Sequence, residues 1–300
     1  MNKISAISGN ESILKKTQIY LEMIKFSHTL FALPFALTGM ILAANGFPEM
    51  MTFLLILLAM ASGRTTAMLF NRITDAKIDN LNPRTKGRAI PAGLVDLKNS
   101  IIIAICCATI FLSSAYMLNW LCFALAPVPL IVFIIYPYTK RFTRLSHFVL
   151  GAALGMAPAG AWIAVTGELP PPAAFVLAGA VLFWVAGFDI IYAIQDIDFD
   201  RGAGFYSIPE KFGIQGAFFF ARACHLVFFI LLASLPIFFP LRGVYFSGMG
   251  IIALMLLYEH LILKINELSR IQHAFFNVNA AVSITMFLFT ATDIFIRRAV

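Results

Sequence analysis

The sequence predicts an all-α membrane protein, a bundle of nine transmembrane helices with its amino terminus in the cytoplasm. Three observations carry that prediction. The 300 residues are 60% hydrophobic and only 12% charged, with a mean hydropathy of +0.87, and a soluble domain usually carries about twice that charged fraction. Apolar runs of about 20 residues, the length needed to cross a bilayer, recur along the chain. Lys and Arg collect in alternate connections between those runs, the bias that fixes orientation.

Taken in order, the spans fall near residues 24–44, 50–70, 99–118, 120–137, 146–166, 172–195, 216–239, 244–265 and 277–296. The fourth is short and interrupted by Pro127 and Pro129, which membrane helices tolerate when neighbours satisfy the freed carbonyls. The whole chain, 1–300, reads as one domain preceded by a polar segment, 1–22, that lacks the apolar core of a signal peptide. One side of the membrane holds Lys25, the cations between residues 71 and 98, Lys140, Arg141 and Arg144, and then Arg201, Lys211 and Lys264. The other holds Arg242, Arg297 and Arg298, and the last two run against the rule. The active site is accordingly expected to face the cytoplasm from the inner membrane.

Net charge is +7, but the cations sit in short loops between apolar runs. Anionic lipid headgroups explain them better than nucleic acid. Cys106, Cys107, Cys122 and Cys224 lie inside apolar stretches without metal-ligand spacing, so they read as free thiols.

The two long connections, about 71–98 and 196–215, share the basic side, and long loops usually carry function. Seven of the eight aspartates fall there or at the adjoining helix ends, six of them in two clusters. Asn71, Asp75 and Asp79 are spaced by four; so are Tyr192, Asp196 and Asp200, with Asp189 seven residues before Asp196 and Asp198 between the last pair. Four-residue spacing stacks side chains on one helix face. Carboxylates stacked this way beside hydrocarbon repel one another and lose hydration, so something positive must compensate. Mg²⁺ is suited to this, because it takes one or two carboxylates together with waters and substrate phosphates. Arg84, Lys86 and Arg88 follow the first cluster at every second position in a Pro- and Gly-rich stretch, and suit the oxygens of a leaving diphosphate. Lys140 and Arg141 close a third polar island, Tyr136–Arg141, on the same side.

These residues resemble the UbiA superfamily of intramembrane prenyltransferases, whose members carry Asn-x3-Asp-x3-Asp after helix two and Tyr-x3-Asp-x3-Asp after helix six. RTKGRAIPAG and YPYTKR are similar to family segments too, and the likeness is firm over residues 20–215. The resemblance implies a nine-helix UbiA-like bundle and Mg²⁺-assisted ionisation of a polyprenyl diphosphate. The allylic carbocation then alkylates an aromatic acid of the 4-hydroxybenzoate type in ubiquinone or menaquinone biosynthesis, or a dihydroxynaphthoate. It also implies residue roles. Asp75, Asp79, Asp196 and Asp200 hold Mg²⁺–diphosphate with Asn71; Arg84, Lys86, Arg88 and Lys140 stabilise the leaving group, with Asp198 among the substrate-binding residues. Arg141 or Lys25 orients the acceptor's carboxylate, and Asp189 or Tyr192 polarises its hydroxyl. The expected partners are those two substrates and membrane lipid, and no oligomeric state is specified. Arg72 stands where many members carry an acid, and Lys25 and His28 where members often carry Arg or Lys. A CDP-alcohol phosphotransferase would need an Asp-Gly and Ala-Arg run that this chain lacks. An ion-coupled transporter would place its acids near mid-span.

Overall fold

The computed structural model describes residues 18–24, 29–263 and 270–299 of the chain. The Lys25 and His28 positions, and the ends of the first and eighth predicted spans, lie outside the described residues. The described residues form helices and no strand. They are α1 (Thr29–Ala44), α2 (Met50–Leu81), α3 (Leu97–Leu118), α4 (Trp120–Thr139), α5 (Ser146–Thr166), α6 (Pro172–Ala193), α7 (Ile197–Ala203), α8 (Ile208–Ser234), α9 (Gly243–Ile262) and α10 (Ile271–Ala299). Eight segments among the described residues, the fifth running from α6 into α7, are long and apolar enough to cross a membrane; α1, at 16 residues, is shorter.

Two sequence expectations change. Residues 71–81 are not loop: α2 continues unbroken for 32 residues to Leu81, so Asn71, Asp75 and Asp79 are helical and the true connection starts at Asn82. Nor is 196–215 a long loop, because α7 fills most of its first half and α8 starts at Ile208. Ser207 starts α8 by accepting the Glu210 amide at 3.1 Å, a standard helix cap.

The fourth span is two pieces meeting at Ala126, where Pro127 opens the second. Asn119 starts the first piece by accepting from the Cys122 amide at 2.9 Å and ties it to α5 by donating to the Ile163 carbonyl at 2.9 Å. That is how a short, proline-broken span keeps its backbone satisfied.

Helix α6 is the hub. It packs on α5 and α8, while α1 lies against α5 and α10, and α2 pairs with α3 and α4. Phe35, Trp184, Phe188 and Phe228 stack at ring separations of 4.9–6.2 Å in the shared core. The α5–α6 seam is close because Gly151 and Gly155 leave no side chain there; a Cβ on Gly155 would come within 2.6 Å of the Ala178 carbonyl. Small residues let membrane helices approach in this way. Arg297 and Arg298, which run against the charge rule, occupy the last turn of α10, where a helix terminus favours cations. Arg297 also donates to the Asn45 side chain, just after α1.

Gly155→Val should overpack this seam. The expected loss is about 1–3 kcal/mol, read as a lower melting temperature of the detergent-solubilised protein than that of Gly160→Val, whose Cβ meets nothing within 4 Å.

Candidate active site

The acids sit at one end of the bundle because α2 and α6 both extend there with polar residues on a single face. Each carboxylate then meets a cation delivered by another segment. Asp75, 3% exposed, receives Lys140 Nζ on Oδ2 at 2.6 Å. Asp79, also buried, accepts from Arg88 Nη1 on both oxygens, at 2.7 and 2.8 Å. Asp196 accepts from Arg84 Nε at 2.8 Å and from its Nη2, and from Asn82 Nδ2 at 2.9 Å. Arg84 Nη1 reaches the Tyr192 hydroxyl at 3.0 Å, with its guanidinium 5.2 Å from that ring's centre. Burial works against the Arg84 charge, but the bonds to Asp196 and Tyr192 outweigh it and hold the guanidinium more firmly protonated than usual.

The connection Asn82–Gly93 therefore straps the two clusters together. It leaves the end of α2, sends Asn82 and Arg84 across to Asp196, and returns Arg88 to Asp79. Its turns are closed locally: Asn82 Oδ1 accepts the Arg84 amide at 2.9 Å, and the Thr85 hydroxyl donates to the Asp79 carbonyl at 3.1 Å. Pro83 and Gly87 keep it from continuing the helix. A second bridge is Lys140, which pairs with Asp75, lies within electrostatic reach of Asp200, and gives its carbonyl to the Tyr206 amide at 2.7 Å.

Most of the predicted site residues converge here. Lys86 and Asp198 are exposed, and their side chains make no hydrogen bond or ion pair among the described residues. Arg141 is at the edge, 4.7 Å from the Tyr138 ring centre and 3.5 Å from the Thr74 carbonyl. Asp189 is engaged by His147, Nδ1 to Oδ2 at 2.7 Å, which brings a histidine into the site from the start of α5. Arg72 is buried and donates Nε to the Met23 carbonyl at 3.2 Å, which anchors residues 18–24 beside the acids. Sequence reasoning also missed Asn82 and Tyr136, whose hydroxyl lies within reach of both Asp75 and Asp189. A polar residue in the first or last turn of a span on the acid side was the available signal for these and for His147.

No three acid, His or Cys side chains form a preformed metal cage among the described residues. The donor set nonetheless suits Mg²⁺. Asp75 Oδ1 is buried without a hydrogen-bond partner, and a hard ion that takes one or two carboxylates and completes its shell with phosphate and water needs no more. Deeper in the bundle lies a cavity of about 400 Å³ lined by Ile56, Met60, Phe111, Phe133 and Leu154, with Arg64 among them. Arg64 Nε is buried without a partner. It lies eleven residues before Asp75, three turns along the same face of α2 and about 16 Å along its axis.

Lys140→Met should leave Asp75 as an unpaired buried charge, at a cost of about 3–5 kcal/mol. The variant should melt below wild type in EDTA, and millimolar Mg²⁺ should restore part of the difference.

The model of the UbiA prenyltransferase family matches residues 32–288. Among curated relatives, a 4-hydroxybenzoate octaprenyltransferase of Nitrosomonas eutropha is 30% identical over 81% of this chain and 84% of its own length. One of Shewanella pealeana is 29% identical over 92% and 95%. Among solved structures, an apo UbiA homolog from Aeropyrum pernix K1 superposes with a TM-score of 0.81 at 33% identity, covering 89% of this chain and 98% of that one. A UbiA homolog from Archaeoglobus fulgidus, bound to GPP and Mg²⁺, shares the fold with a TM-score of 0.66 at 19% identity, over 91% and 99%.

Proposed function

The chain belongs to the UbiA prenyltransferase family, and on that premise we propose that it transfers a polyprenyl group from its diphosphate to the ring of an aromatic acid of the 4-hydroxybenzoate type, in quinone biosynthesis at the inner membrane. The observation that supports this most is the meeting of two acid clusters and three strapping cations above an apolar cavity with an unpaired arginine. In this reading a diphosphate site, room for a prenyl tail and a carboxylate receiver lie along one line.

In this reading Asp75, Asp79, Asp196 and Asp200, with Asn71, hold Mg²⁺–diphosphate at the cytoplasmic end. Bound there, Mg²⁺ would draw charge from the bridging oxygen and make diphosphate a better leaving group. Lys140, Arg84 and Arg88 exchange their carboxylate partners for phosphate oxygens, and Lys86, exposed on the strap, adds another donor; charge-assisted bonds of this kind stabilise the departing anion. The C1–O bond breaks with its electron pair on the diphosphate. The allylic cation lies beside Tyr192 and Phe275, whose rings are 4.4 Å apart, and electron-rich ring faces favour a cation. A ring carbon of the acceptor then closes the new bond, and the acceptor's hydroxyl is polarised from the side of Asp189 or Tyr192. For the carboxylate, the unpaired Arg64 is better placed than Arg141, whose guanidinium already rests on Tyr138; a guanidinium in an apolar cavity calls for an anion.

Asp75→Ala and Asp196→Ala should each abolish Mg²⁺-dependent prenylation by the purified protein without loss of fold. Full activity in either would remove the assignment. Arg64→Leu should raise the apparent KM for 4-hydroxybenzoate by roughly ten- to a hundredfold, the worth of a charge-assisted bond, with little change in the KM for the prenyl diphosphate. 4-Hydroxybenzoate and dihydroxynaphthoates offered side by side identify the acceptor.

A further inference from the structure

Within the acid end of the bundle one pair, a buried histidine and a part-exposed acid, is not used by diphosphate binding. His147 opens α5 and is 3% exposed; Asp189 sits in the penultimate turn of α6. Nδ1 of the first meets Oδ2 of the second at 2.7 Å, and Nε2, the other ring nitrogen, is buried with no hydrogen-bond partner. A carboxylate on Nδ1 fixes the tautomer in which that nitrogen carries the proton, leaving Nε2 an open acceptor and stabilising the imidazolium formed when it is filled. The pair stands where both clusters come together. Asp200 is within electrostatic reach of His147, and the Tyr136 hydroxyl is within reach of Asp189. It is also held stiffly, because α5 and α6 are in contact through Gly151 and Gly155 one and two turns further along.

Resting on the prenyl-transfer reading, we infer that His147 Nε2 is the base that takes the hydroxyl proton of the aromatic acceptor, with Asp189 acting through His147 as its positioning residue. As the hydroxyl proton passes to Nε2, the oxygen's electron pair moves into the ring, and the ring carbon beside it bonds to prenyl C1. The C1–O bond to diphosphate breaks and its pair leaves with the diphosphate. The resulting dienone becomes aromatic again when the proton on the alkylated carbon departs to water at the open end of the site and the oxygen recovers one from the imidazolium. One proton is released overall, and His147 returns to its starting form.

The test uses full-length protein in nanodiscs with Mg²⁺, a labelled polyprenyl diphosphate and 4-hydroxybenzoate. It follows ring prenylation and diphosphate release separately. His147→Gln should cut prenylation by about a hundredfold or more. Mg²⁺-dependent diphosphate release should fall by much less, because the cation is captured by water instead. Asp189→Asn should give the same division, and imidazole should restore part of the prenylation in His147→Ala. Prenylation by His147→Gln within about threefold of wild type, or parallel loss of diphosphate release in both His147→Gln and Asp189→Asn, would overturn the proposal. If His147→Gln does not fold, Asp189→Asn with its two readouts decides alone. Wild-type protein that prenylates no aromatic acid would instead refute the function on which the inference rests.

Discussion

Everything at the working end of this protein depends on one constraint: a carboxylate beside hydrocarbon must have a positive partner. Asp75, Asp79 and Asp196 each have one, and in every case it comes from a different segment than the acid. Lys140 arrives from the end of α4, and Arg84 and Arg88 from the strap after α2. The need to compensate charge therefore shapes the chain as much as hydrophobic packing does. It folds Asn82–Gly93 across the bundle end, brings the α4–α5 corner over α2, and joins the two motif helices without direct contact between their acids. Strong pairing of this sort is also reversible, because a bound metal or phosphate offers each partner an equivalent substitute. In the proposed reaction, substrate binding is an exchange of partners among charges already present.

The same constraint accounts for Arg72. In a cluster of buried acids a fixed cation lowers the repulsion among them, and it lies within reach of Asp75 and Asp79. Its one hydrogen bond, to the Met23 carbonyl, uses that charge to hold the segment preceding α1. A position that the sequence comparison marks as a lost acid thus serves as an anchor for backbone.

Much of this was legible beforehand, and the physical reasons are specific. Long apolar runs declare spans whatever their neighbours, so the helices from α2 onward were expected close to where they lie. The four-residue spacing of Asn71–Asp79 was visible because helix periodicity acts locally. What stayed hidden was longer in range or finer in geometry. Sequence treated residues 71–81 as connection because they are polar, but the helix continues since each acid's partner reaches it from outside. His147 carried no signal of its own, because nothing local shows that Asp189 stands opposite across a glycine seam. Arg64 lies within an apolar run, and only the fold sets a cavity around it. Lys86 and Asp198 were indistinguishable from their neighbours in sequence, yet the turns of the strap and α7 direct them outward.

The glycines at 151 and 155 have one further implication. With backbone packed on backbone, α5 and α6 can neither slide nor tilt much relative to each other, since no side chain there can change rotamer to absorb the movement. The half of the site built on that pair, His147, Asp189 and Tyr192, is accordingly a fixed wall. The strap has no such seam, and only side-chain bonds tie it to the far cluster. In the proposed reaction, the admission of a diphosphate and its release would fall to the strap and not to a rearrangement of the bundle.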